Sequence, residues 1–83
     1  MELKAKLTET LLQSPFDRPA VELDTTASGR VGGYFLSGSF AGMEQMARQE
    51  MLCAWLDSKL PIEDRRRIVS IITLTHEELE AAS

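Results

Sequence analysis

At 83 residues the chain has room for one domain that buries roughly 60 to 65% of its surface, and too little for two. With 43% hydrophobic and 27% charged residues it is compositionally globular, and no apolar run approaches the ~20 residues of a membrane span. Nine basic against thirteen acidic residues leave a formal charge of −4, which disfavours nonspecific attraction to nucleic-acid phosphates over the surface as a whole.

The N-terminal run MELKAKLTETLLQ interleaves charge with leucine and lacks an apolar segment followed by a small-residue cleavage site. It does not read as a signal peptide, and a cytoplasmic location is the expectation. Leu3, Leu7 and Leu11 recur at i+4 and predict a first helix over about residues 2–12, ending before QSPFDRP. AVELDTT then alternates Val21, Leu23 and Thr25 against Glu22, Asp24 and Thr26, and ASGR turns the chain into VGGYFLSG, so a two-stranded hairpin is expected. Gly32 and Gly33 inside the second strand predict a bulge or the close approach of another backbone.

After Gly42, Met43, Met46, Ala47, Met51, Cys53, Ala54 and Leu56 follow helical spacing to about Ser58 and predict the principal core helix. On that reading the methionines fill the core, Cys53 is a small buried hydrophobe, and Trp55 packs with its indole N–H near the surface. Cys53 has no second cysteine to bridge to, and no Cys/His spacing suits zinc, so no metal site is expected. Pro61 at a first helical position, followed by Ile62, Glu63 and Asp64, predicts one short turn of helix. RIVSIITL reads as a strand, and THEE as a capping box with Thr75 as N-cap and Glu78 reaching back, starting a last helix at His76. His76 itself is expected to be a solvated first-turn residue.

The order is α-β-β-α-α-β-α, an α/β single domain over residues 1–83. A strand, helical crossover, strand connection is normally parallel and right-handed, so the third strand should lie parallel beside the second in a three-stranded mixed sheet with helices packed on one face. Parallel neighbours start at the same sheet end, ~4.8 Å apart, which brings Arg30 and Arg67 together. Arg66 and Arg65 extend that run, and the expectation is either a solvated stretch or an anion or acidic-partner patch. No carboxylate pair, Gly-rich phosphate loop or triad spacing points to catalysis, so a noncatalytic role is expected.

From about Val21 to Glu80 the chain resembles the BolA-like family. The resemblance rests on Phe40, Ala41 and Gly42 in place of the family's FxG, on Arg48, Gln49 and Glu50 in place of RHR, and on SIITLTHEEL, which is similar to the family's serine-containing strand followed by a PEE helix start. It implies a fold similar to a type II KH module. It also implies an adaptor or regulator that binds a monothiol glutaredoxin-like protein in iron-sulfur homeostasis or redox regulation, with Arg48 and Gln49 among the partner-facing residues. No cofactor is expected on the chain alone. The family shares a two-iron two-sulfur cluster with its partner through a histidine and a Cys or His, and the matching positions here are Arg67 and Arg30, which offer no lone pair to iron. The alternative is a nucleic-acid-binding transcriptional regulator of the BolA type, contacting DNA. Against it stand the net charge and the absence of a GxxG clamp.

The last strand carries one more expectation. Strict alternation puts Ile68, Ser70, Ile72 and Leu74 on one face and Val69, Ile71 and Thr73 on the other, both largely apolar. With helices on one side only, Ile68 and Ile72, joined by Tyr34 and Leu36, are expected to form a patch for a partner or a homodimer.

Overall fold

Residues 2–82 are described by a computed structural model. The order is α1 (Leu3–Leu12), β1 (Ala20–Thr25), β2 (Val31–Leu36), α2 (Gln45–Lys59), α3 (Ile62–Arg65), β3 (Ile68–Leu74) and α4 (His76–Ala82), with a 3-10 turn at Gly38–Phe40 between β2 and α2. The sheet runs β1-β2-β3, antiparallel between β1 and β2 and parallel between β2 and β3, so the α-β-β-α-α-β-α order and the mixed sheet are as the sequence predicts. No helix among the described residues is long and apolar enough to cross a membrane.

One core forms between the helices and the inner sheet face. Leu3, Leu7 and Leu11 of α1 and Leu52 and Leu56 of α2 pack with Leu23, Val31, Phe35 and Ile71 of the sheet. Phe16, Phe35 and Phe40 meet edge-on or tilted with centroids 5.3 to 5.7 Å apart, the offset geometries that ring quadrupoles favour. This aromatic cluster ties the loop after α1 and the 3-10 turn to the central strand.

The two adjacent glycines of β2 serve different purposes, and both devices expected there occur. At Gly32 the register against β3 slips, from Val31 opposite Ile68 to Gly32 opposite Ser70, so Val69 is an extra, bulged residue. Gly33, with φ +149°, lies against β1 so closely that a Cβ would overlap the Glu22 carbonyl oxygen. Only glycine fits there.

The bulge corrects the face assignment of β3. Ile68 faces inward and packs against the core, whereas Ser70 and Ile72 face outward and Ile71 and Thr73 inward. Ile68 therefore does not belong to an outer patch with Ile72. Val69, 55% exposed, takes its place.

The phase of α2 is also corrected. Its buried stripe is Arg48, Leu52 and Leu56, while Met46 is 74% exposed and Ala47, Cys53 and Ala54 face solvent. Met43, Met51 and Trp55 are half-buried against the core, and the Trp55 indole N–H donates to the Thr10 carbonyl at 3.1 Å. The residue types alone favour an apolar stripe through Met46 and Cys53. What overrides them is that each nitrogen of Arg48 finds an acceptor. Pro61 is the N-cap of α3 rather than its first residue.

Candidate functional site

Arg48 is 4% exposed and sits where three remote segments meet. Its Nε donates to the Met43 carbonyl at 3.0 Å, and Nη1 to the Thr73 carbonyl at 3.2 Å. Nη1 and Nη2 together grip the Glu78 carboxylate at 2.7 and 3.1 Å, the two-pronged geometry that a planar guanidinium matches best. The guanidinium carbon also lies 5.9 Å from the centroid of the Phe40 ring. Burying a cation is costly unless it is paired and hydrogen-bonded, and here four hydrogen bonds engage all three nitrogens, two of them to a carboxylate. Phe40 is itself fully buried, and Gly42, at φ +77°, turns the chain from the 3-10 segment toward α2.

Glu78 belongs to two devices at once. Its carboxylate accepts from the Thr75 amide at 2.8 Å while the Glu78 amide donates to Thr75 Oγ1 at 3.1 Å, completing the capping box of α4. The hydrogen bonds from Arg48, then that from the Thr75 amide, pull its pKa from 4.5 to about 2. The three stretches that carry the family resemblance are thus bonded into a single unit: Phe40 under Arg48, and Arg48 onto Glu78.

Gln49 and Gln45 act on the sheet edge. The Leu74 carbonyl accepts from Ser37 N–H on the β2 side, so alternate residues 73 and 71 turn their carbonyls to the free side of β3. There the Gln49 side chain donates to the Ile71 carbonyl at 2.9 Å and to Thr73 Oγ1 at 3.2 Å, and the Gln45 side chain to the Thr73 carbonyl at 3.1 Å. An edge strand with open carbonyls is a template for unwanted pairing, and these amides from α2 cover two of them. Arg48 and Gln49, expected to face a partner, are committed to the fold. Beyond them α2 and β3 leave a groove of about 240 Å³, lined by Leu52, Cys53, Leu56 and Ile68 among others.

The remaining candidates lie at the opposite end of β3. Val31 N–H donates to the Arg67 carbonyl at 2.9 Å, so Arg30 and Arg67 start adjacent strands side by side as the parallel crossover predicts. Arg67 Nη2 reaches across the β1–β2 turn to the Gly29 carbonyl at 2.8 Å. Arg30, Arg66 and Arg67 are exposed, and among the described residues none is within ion-pair distance of a carboxylate. Arg65, by contrast, is paired with Asp57 at 2.6 Å and bonded to the Leu60 carbonyl. Three uncompensated guanidiniums at one sheet end form a local positive region on a chain of charge −4.

Cys53 is exposed, not a core filler. His76 is half-buried, and its Nε2 lies 3.0 Å from the Arg18 carbonyl. A carbonyl can only accept, so this nitrogen carries the proton. His76 thereby ties α4 to a loop where Arg18 adopts φ +46°, instead of being a solvated helix start. On the outer sheet face Tyr34 is 40% and Ile72 47% exposed, while Leu36, toward the far end, is half-buried.

The chain matches no protein-family model, no curated protein and no solved structure. A two-iron two-sulfur cluster, the group the family resemblance implies, does not fit the residues at the sheet end. Guanidinium groups stay protonated and supply no lone pair. Glu78 and Gln45 were missed as partners of Arg48 and of the β3 edge, because separations of 28 to 30 residues leave no local signature in sequence.

Proposed function

We propose that the chain is a BolA-like noncatalytic adaptor that binds a monothiol glutaredoxin-type protein in iron-sulfur or redox regulation, without lending a ligand to the cluster. The observation that carries this reading is the bonding of Phe40, Arg48 and Glu78 into one unit. The stretches on which the resemblance rests pack together rather than lying scattered over the surface. It orients the loop, α2 and α4, and leaves the arginine end of β2 and β3 as the polar surface on offer.

On this reading Arg30 and Arg67 replace metal ligation by charge. They meet carboxylates of the partner, and bidentate guanidinium contacts supply orientation. Anaerobic titration with a cluster-loaded monothiol glutaredoxin tests it. The expected result is a complex whose affinity drops about ten-fold or more on Arg30→Glu with Arg67→Glu, with no new visible dichroism of a histidine-ligated cluster. Absence of any complex would overturn the adaptor reading. A dichroism change abolished by His76→Ala would overturn the charge-only part.

The arginine patch is also the one observation that favours DNA binding by a transcriptional regulator. The overall negative field opposes it, and a mobility-shift titration with duplex DNA separates the two.

A further inference from the structure

The helices cover the inner sheet face, and the outer face carries a pattern of charge and apolar surface that is complementary to itself. Along β1 the outward residues are Glu22 and Asp24, both exposed. In the middle Tyr34 stands beyond Gly32, and on β3 the bulge brings Val69 out beside Ile72. Gly32, having no side chain, leaves a hollow of about 350 Å³ between Tyr34, Val69, Ile72 and Asp24. At the start of β2 and β3 stand Arg30, near the end of β1 that carries Asp24, and Arg67, which is one strand further from the acids. Among the described residues none of these four charges has an ion-pair partner within the chain.

We propose that this face is a self-association surface, on which two copies pack face to face about a two-fold axis lying in the interface plane. In an isologous contact each patch meets its own equivalent, so a face qualifies only if opposite charges are set on opposite sides of an apolar centre. Glu22 on β1 and Arg67 before β3 meet that condition across Tyr34 and Val69. A diagonal axis through the hollow lays Arg67 of one copy over Glu22 of the other, and Tyr34 over the second copy's Val69 at the rim of the hollow.

A purely apolar partner would leave all four charges facing it without compensation. A uniformly acidic partner would be repelled by the β1 side. The second copy compensates both. The adaptor reading draws on the same Arg30 and Arg67, so the two contacts would compete, but self-association is measured on the chain alone and stands or falls without that reading.

The footprint limits the strength. Three strands ~4.8 Å apart and six residues of ~3.3 Å long span only ~300 Å² in projection, below the standard interface size, so a weak and reversible dimer is expected. Sedimentation equilibrium over about 20 to 500 μM should show the mass rising from one 9.3 kDa chain toward two, more steeply at low salt.

Ile72→Lys should give a monomer throughout, with an unchanged far-ultraviolet spectrum because the side chain is already half in water. Glu22→Arg and Arg67→Glu should each weaken association about ten-fold, and the two together should restore it, since the swap rebuilds the pair with its signs exchanged. A monomeric mass for the unmodified chain at every concentration would overturn the proposal. So would a dimer that Ile72→Lys leaves intact, or a double charge swap that associates no better than the single reversals.

Discussion

Arg48 explains why a charged residue can occupy the inward stripe of a helix. It has four hydrogen bonds, two of them to one carboxylate, so each of its three nitrogens has an acceptor despite its burial. Replacing it by alanine removes the donor to the Met43 carbonyl and both donors to the Glu78 carboxylate, and opens a cavity against Phe40. Arg48→Ala should cost on the order of 2–4 kcal/mol in urea unfolding, visible as a lower midpoint at unchanged slope.

Its partner makes a pH prediction. Folding lowers the Glu78 pKa from 4.5 to about 2, so between those values the unfolded chain binds more protons than the native one. The stabilisation from Glu78 is fully present above pH 4.5 and is lost as pH falls toward 2. Glu78→Gln should therefore lower stability at pH 7 and flatten its decline over that acid window. An equally steep decline in the variant would show that other groups are responsible.

Gly33 is the second residue on which the fold hinges. Gly33→Ala forces a Cβ into the Glu22 carbonyl at a φ that side chains rarely adopt, and is expected to cost about 3 kcal/mol or to prevent soluble expression.

At the scale of elements, β3 is the strand on which the rest converges. It pairs with β2 on one side and is capped by side chains of α2 on the other, while its bulge divides inward Ile68 from outward Ile72. The edge capping makes a prediction of its own. Gln45→Ala with Gln49→Ala should lower the unfolding midpoint, because the buried Thr73 hydroxyl loses both partners, and raise the aggregation rate, because the Ile71 carbonyl becomes available to another strand while the Thr73 carbonyl keeps only its bond from Arg48. Thioflavin-positive aggregation no faster than that of the unmodified chain would argue that the groove geometry alone protects the edge.

For the molecule as a whole, charge is distributed unevenly: three arginines without an ion-pair partner among the described residues gather at one sheet end while the net charge is −4. Such a local patch suits a protein partner better than a polyanion, because the long-range field still repels phosphate. Binding to random duplex DNA at about 150 mM salt should be no tighter than ~10⁻⁴ M in a mobility-shift titration. Submicromolar, sequence-selective binding would instead promote the regulator reading.

The element order, the parallel crossover and the capping box were legible in the sequence because each rests on local rules. Leucines at i+4, a turn between alternating runs, and Thr75 three residues before Glu78 act within a few residues of one another, and handedness then places β3 beside β2. Arg30 and Arg67 came together for the same reason. Only the tertiary structure decided the phase of α2, the face of Ile68 and the roles of Arg48 and Gln49. Helical periodicity cannot say which stripe turns inward when a buried arginine is satisfied by groups 25 to 30 residues away. Nor can strand alternation foresee a bulge whose cause is the pairing with another strand. The physical reason is common to both: the free energy of these side chains depends on acceptors and neighbours that the chain brings to them only once it has folded.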